Sequence, residues 1–166
     1  MQSDLNATAH SPAVPSMKRR IAMGVFDKLE GLEMALEALA KLGVGPSHLV
    51  LVTGDGGPDT LAGIMLRHEG GQNTREIRLQ GRHGATLQIG RADQSAFAAS
   101  GLLSAPFETW GVAGTTRRLS AQLDRGACVL VALVAAAEGE REVIEILLAH
   151  SIDQVQQHDI PPSTKL

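Results

Sequence analysis

The apolar run ACVLVALVA at residues 127–135 decides the fold, since an uninterrupted run of this kind is typical of a strand that is buried on both faces. It is much shorter than the ~20 apolar residues that a membrane-spanning helix needs. The residues before it, Thr115 to Arg125, carry Leu119 and Leu123 on one side and predict a helix that ends at Gly126. We therefore expect a helix that leads directly into a central strand.

The residues after this run complete a β-α-β unit. Glu140 to Ala149 predict a helix, and Ile152 to Gln156 predict a shorter strand. The inner side of the helix is apolar at helical spacing and carries Val143, Ile144, Leu147 and Leu148.

The N-terminal half has the same order of elements. Ile21 to Phe26 alternates large and small apolar residues, which predicts a strand covered mainly on one face. Asp27 precedes Glu30 by three positions, as in a capping box, so a helix should begin there and end at Gly43. The apolar run at 49–52 then predicts a second strand.

The two halves align without gaps at an offset of 108 residues, the separation of Glu30 from Glu138. At this offset Gly31 also matches Gly139. Duplication of one unit and chance similarity between two amphipathic units explain the match equally well. In either case, right-handed crossovers place the two central strands side by side with helices mainly on one sheet face. The predicted fold is an α/β (α+β) ferredoxin-like sandwich of two β-α-β units.

The residues from about 54 to 114 belong to neither unit and predict an insertion. Glu76 to Gln80 and Ala85 to Ile89 both alternate in polarity and predict an inserted β-hairpin. Pro58 favours the first position of a short helix from Asp59 to Arg67. The Ala- and Ser-rich residues 93–110 are compatible with either a short helix or a loop.

Length and composition indicate one domain over residues 18–160, with flexible tails at 1–17 and 161–166. The formal net charge of −3 and an aromatic content of 2% argue against a general nucleic-acid or membrane-surface binder. The first residues lack the charged and apolar regions of a secretory signal, so we expect a cytoplasmic protein with no membrane role. Cys128 lies within the apolar run and is interpreted as a small buried hydrophobe.

Two segments of this pattern resemble bacterial general stress protein 17M-like (YflT-type) domains. The first is Val25-Phe26-Asp27 leading into an Ala/Leu/Glu-rich helix, and the second runs from Leu123 to Val131 and ends in the short motif Ile152-Asp153-Gln154-Val155. The resemblance covers residues 20–53 and 115–157, and it implies a small, stress-associated bacterial protein that is not an enzyme. Many members of that family carry a Gly-rich hydrophobic stretch in the middle, where this chain has a polar hairpin.

A glycine-rich turn is the first candidate binding site. Gly54, Gly56 and Gly57 lie between a predicted strand and a predicted helix, a layout whose free backbone N–H groups can hold an anion. The turn lacks the Lys-Ser/Thr of a P-loop, and a tight turn with a helix cap is the simpler interpretation.

The predicted hairpin is the second candidate. The segment from Arg67 to Arg91 carries an excess of arginines over acidic residues, and Arg78 and Arg82 could contact RNA or a phosphorylated ligand. No aromatic residue is interleaved to stack a base, so a solvated hairpin face is the simpler interpretation.

The sequence offers no catalytic motif, no metal-ligand spacing and no cofactor fingerprint. Trp110 either caps an edge of the core or anchors a partner. We therefore expect a non-enzymatic protein that acts through association with a protein partner or with itself, by a sheet edge or an uncovered sheet face. The alternative is a regulatory domain that senses a small ligand or a nucleotide.

Overall fold

The computed structural model describes residues 19–45, 48–53, 74–77, 85–89, 102, 107–134, 139–153 and 155–160. Within these ranges the chain forms one antiparallel sheet with helices packed on it, so the predicted α+β class is confirmed. The strands are β1 (Arg19–Phe26), β2 (Leu49–Thr53), β3 (Thr74–Ile77), β4 (Ala85–Ile89), β5 (Cys128–Val134) and β6 (Gln156–Ile160). The helices are α1 (Leu29–Lys41), α2 (Ala113–Asp124) and α3 (Glu140–His150), and a 3-10 turn covers Phe107–Thr109.

The strands follow the order β3-β4-β2-β5-β1-β6 across the sheet. The two central strands of the β-α-β units are neighbours, as predicted, and Val25 of β1 lies opposite Val129 of β5. β5 also pairs with β2, and its residues are buried without alternation because both faces of the sheet are covered at this strand. Each β-α-β unit is thus split by a strand of the other unit.

One face of the sheet is covered by α1 and α3, and we call it the helical face. Leu32, Ala35 and Leu39 of α1 are fully buried there, together with Leu147 of α3. The two helices also contact each other, and a Cβ atom added at Gly31 would lie 3.1 Å from the backbone oxygen of His150. This close approach favours glycine at position 31, because a Cβ atom there would force the two helices to move apart by a few tenths of an ångström.

The opposite face, which we call the second face, is covered as well. The 3-10 turn and α2 lie on it, and Phe107, Trp110, Leu119 and Leu123 pack against β1, β2 and β5. All four side chains are at most 5% exposed. The expectation that this face is uncovered is therefore wrong, because the end of the insertion and the helix after it fill the face.

Helix ends follow the glycine signals but not the predicted acidic cap. α1 has Lys28 at its N-cap with no side-chain hydrogen bond to the helix, so the capping box at Asp27 does not form. Gly43 and Gly126 follow α1 and α2, and each has a φ of 88°. This left-handed conformation favours glycine and ends both helices where the sequence predicted.

The predicted hairpin exists and extends the sheet at one edge. β3 pairs with β4, with Thr74 opposite Ile89, and β4 in turn pairs with β2. β3 begins two residues before the predicted start at Glu76. The hairpin strands therefore belong to the sheet and lie at its edge, so they do not cover either face of its centre.

The last strand lies four residues later than predicted. Residues Ile152 and Asp153 form a bend, and β6 begins at Gln156 instead of Ile152. Ser151 Oγ donates a hydrogen bond to the backbone oxygen of Asp153 (2.9 Å), which fixes this bend. Ile152 and Asp153, the predicted start of the strand, thus belong to the bend between α3 and β6.

Candidate association surface at the beta6 edge

The binding residues proposed from the sequence lie outside the described residues. This holds for the turn glycines Gly54, Gly56 and Gly57, and for Arg78 and Arg82 of the hairpin. The helix predicted from 59 to 67 and both terminal tails also lie outside them. The structure therefore neither brings these residues together nor separates them.

β6 is the last strand of the sheet and pairs only with β1 in the described part of the chain. Ile21 of β1 lies opposite His158 of β6. Exposure alternates along the strand, with Gln157 and Asp159 exposed and their neighbours half-buried. An end strand presents backbone N–H and C=O groups that can bond to a further strand. We call this free side of β6 the β6 edge.

A network of charged side chains fixes β6 to β1 and α3. Arg20 Nη1 donates to Glu140 Oε1 (2.8 Å), and Arg20 Nε donates to Asp159 Oδ1 (2.6 Å). Gln157 donates a further hydrogen bond to Glu140. The bonds to Glu140 and then Asp159 raise the pKa of Arg20. The carboxylate of Asp159 is therefore compensated within the chain although it is 62% exposed.

An apolar row on α3 lies beside this network. Glu140, Ile144 and Leu148 are spaced by four residues and so share one side of the helix, and the contact of Glu140 with Gln157 identifies this side as the one next to β6. Leu148 is 55% exposed and Ile152, in the bend before β6, is 51% exposed. A shallow open depression of about 360 Å³ lies along the helix and is lined by Glu140, Arg141, Ile144 and Glu145.

On the second face, β6 is fixed by His158. A Cβ atom added at Gly111 would lie 2.7 Å from His158 Nε2, so the imidazole packs directly on this glycine. Nε2 is buried and has no hydrogen-bond partner among the described residues. Burial lowers the pKa of His158, since the charged imidazolium would lose its hydration there.

An ion pair fixes the bend that precedes β6. Arg118 of α2 donates from Nη2 to Asp153 Oδ1 (2.6 Å) and from Nε to Oδ2 (3.1 Å). The backbone N–H of Ile152 donates to the oxygen of Val25 at the end of β1 (2.9 Å). β6 is therefore held from both faces, and the row on α3 keeps a fixed position relative to its edge.

Sequence reasoning missed this surface for identifiable reasons. Arg20 received no role because its partners, Glu140 and Asp159, lie more than a hundred residues away. The signal on α3 was available, since Leu148 continues the row from Ile144, but Leu148 was assigned to the inner side of the helix. Trp110, for which two interpretations were open, is a core residue at 5% exposure.

The described residues contain no group of three or more His, Cys, Asp or Glu side chains that could hold a metal ion. No described helix is long and apolar enough to cross a membrane. Cys128 is buried as predicted, and burial raises the pKa of its thiol, which leaves it protonated and unreactive at neutral pH.

Comparison with known proteins adds no identification. No family model, no curated protein and no solved structure matches this chain. The resemblance to general stress protein 17M-like domains therefore stays a prediction from the sequence.

Proposed function

We propose that this chain is a non-enzymatic accessory or regulatory protein that acts by protein association, and that the β6 edge is its contact surface. The single observation behind the proposal is that β6 ends the sheet in the described part of the chain, while the helix and the bend that precede it carry two apolar side chains, Leu148 and Ile152, that are each more than half exposed. The resemblance described above would place this activity in a bacterial stress response.

The edge combines two kinds of contact that strand addition requires. A partner strand gains main-chain hydrogen bonds from β6, and side-chain contacts beside the strand add specificity. Burying the exposed parts of Leu148 and Ile152 favours association at roughly 25 cal/mol per Å² of apolar area. Exposed charges usually protect an end strand from association, but the charge of Asp159 is already paired with Arg20.

The surface is also preorganised, which lowers the cost of binding. Arg20 holds β6 through Asp159 and holds α3 through Glu140, and Arg118 holds the bend between them through Asp153. A partner would therefore meet a strand and a helix side that are already in place, so less conformational entropy is lost on association. The sensing of a small ligand has no comparable support, because its residues lie outside the described ranges.

Photo-crosslinking in the cells that naturally produce the protein tests the proposal. A photoreactive residue at position 157, in the exposed part of β6, should yield a discrete crosslinked complex. The pair of substitutions Leu148→Glu and Ile152→Glu should reduce that complex at least tenfold. Met34→Glu is the matched control, because Met34 is 50% exposed on α1, and it should leave the complex unchanged.

Two outcomes would count against association at this edge. One is the absence of any crosslinked complex from position 157, together with unchanged yields of complexes at other surface positions. The other is an equal loss of the complex in the Met34→Glu control, which would assign the effect to general surface charge.

A further inference from the structure

We infer that the partner at the β6 edge is a second copy of this chain, joined by antiparallel β6–β6 pairing about a two-fold axis that passes through His158. The inference rests on the proposed function, because it names the partner of the same surface. The axis would be perpendicular to the sheet and would join two six-stranded sheets into one.

Strand geometry restricts where such an axis can lie. Side chains alternate between the two sheet faces, and residues directly opposite each other in an antiparallel pair point to the same face. A two-fold axis between identical strands must therefore pass through a residue and not between two residues. Near the middle of β6 the candidates are Gln157, His158 and Asp159.

The side chains that would lie opposite each other, and the number of β6 residues that would pair, distinguish these three positions. An axis at Asp159 would place two carboxylates directly opposite each other, which is destabilising. An axis at Gln157 would place Asp159 opposite the apolar Val155 of the other copy and would leave Ile160 beyond the described pairing. An axis at His158 pairs all five residues of β6, Gln156–Ile160, with the same five residues of the second copy.

The His158 axis is also complementary in hydrogen bonding. It places Gln157 opposite Asp159 of the second copy, an amide donor opposite a carboxylate acceptor, and this occurs twice by symmetry. Both groups keep capacity for this contact, since an amide has two N–H groups and a carboxylate accepts at both oxygens. Among the described residues, Arg20 donates to Asp159 Oδ1, so Oδ2 can accept from the neighbouring copy.

The chemistry on the axis is compatible with close approach. Two His158 imidazoles would meet on the second face, and burial keeps them in the neutral form at neutral pH. On the helical face, the two α3 helices would lie on the same side of the joined sheet. Ile144 and Leu148 of each copy would then face the groove between the helices, where the second copy reduces their exposure to water.

A mixed-cysteine experiment tests the register. The Gln157→Cys and Asp159→Cys proteins should each stay largely unlinked alone, and should form a disulfide-linked dimer as the main oxidation product when mixed. The native Cys128 is buried and does not compete. A mixture of Gln157→Cys with Glu37→Cys, whose side chain is 70% exposed on α1, is the control and should give no specific product.

Because Asp159→Cys also removes the hydrogen bond to Arg20, a measurement on the wild-type chain is needed as well. In a mixture of isotope-labelled and unlabelled wild-type chains, NMR should detect contacts between Gln157 of one chain and Asp159 of the other. Analytical ultracentrifugation of the same protein should give twice the mass of the 17.5 kDa chain.

Each negative result has a defined meaning. A Gln157→Cys protein that links efficiently to itself would move the axis to Gln157 and overturn the inference. A wild-type protein that stays monomeric at high concentration would also overturn it. If the cellular crosslink at position 157 persists in that case, the proposed function stands with a different partner.

Discussion

The two faces of the sheet are closed in different ways. The helical face is covered by two helices whose apolar spacing is evident in the sequence, whereas the second face is covered by α2 together with a 3-10 turn that has no periodic pattern. Phe107 and Trp110 of this second cover pack edge to face, with ring centroids 5.4 Å apart and planes at 70°. Because both faces of β1, β2 and β5 are covered, we place the proposed association at an edge of the sheet.

Aromatic residues are scarce in this chain, so the position of this pair matters for stability. The chain has three Phe and one Trp, and two of these four residues form the pair on the second face. An aromatic pair of this geometry contributes about 0.5–1.5 kcal/mol beyond the apolar area that it buries. The aromatic pair therefore adds stability to a cover that has one helix where the helical face has two.

The largest expected effect tests whether the second cover is an integral part of the core. Phe107 is fully buried, so Phe107→Ala should lower the free energy of unfolding by about 3–5 kcal/mol. Leu147→Ala, at a fully buried position on the helical face, should cost about 2–5 kcal/mol. Chemical denaturation followed by circular dichroism measures both.

The control for this comparison is Val112→Ala. Val112 follows the aromatic pair but is 68% exposed, and the substitution should change stability by less than about 0.5 kcal/mol. A Phe107→Ala protein as stable as this control, alongside a destabilised Leu147→Ala protein, would show that the second face is only loosely covered.

The sequence predicted the helical face because its signals are local. The periodic Leu and Ala residues of α1, the terminating glycines and the apolar run of β5 each depend on neighbours within one element. Of the second cover, the helix α2 was predicted but the 3-10 turn was not, because Phe107 and Trp110 obtain their burial from β1, β2 and β5, which are distant in the chain. A 3-10 turn of three residues also has no periodicity to detect.

The same distinction applies to the candidate site. An end strand can be recognised only from the order of strands across the sheet, and the sequence places β6 four residues too early. The contacts of Arg20 with Glu140 and Asp159 follow from that order. By contrast, the burial of Cys128 was predictable because its apolar neighbours adjoin it in the chain.

An intermediate effect tests the contact between β6 and the second cover. In Gly111→Ala the new methyl group would lie within 3 Å of three atoms of the His158 ring, so the ring, the strand or the loop must shift. We expect a loss of about 1–3 kcal/mol in the free energy of unfolding, the usual cost of overpacking. Removing the ring with His158→Ala should make Gly111→Ala much less costly, which a double-mutant cycle measures.

Gly114→Ala provides the matched control for that substitution. Gly114 lies in the first turn of α2, and an added Cβ atom there would meet nothing within 4 Å. Because alanine favours the helix over glycine, this variant should gain up to about 1 kcal/mol. Equal losses at positions 111 and 114 would mean that His158 does not pack on the second cover.

The smallest effect concerns pH and the same imidazole. Burial lowers the pKa of folded His158 below its ordinary value of 6.5, so below that value the unfolded chain binds a proton that the folded chain excludes. The stability associated with neutral His158 is thus fully present above pH 6.5 and is lost as the pH falls towards the lowered pKa. His158→Gln removes this titration. Between pH 7.5 and 5.5 the free energy of unfolding should therefore fall less in the variant than in the wild type. The difference between the two falls measures the cost of protonating one partly buried ring. Parallel pH profiles for the two proteins would show that the ring is as hydrated in the folded state as in the unfolded state. The packing of β6 on the second cover would then be looser than the position of Gly111 indicates.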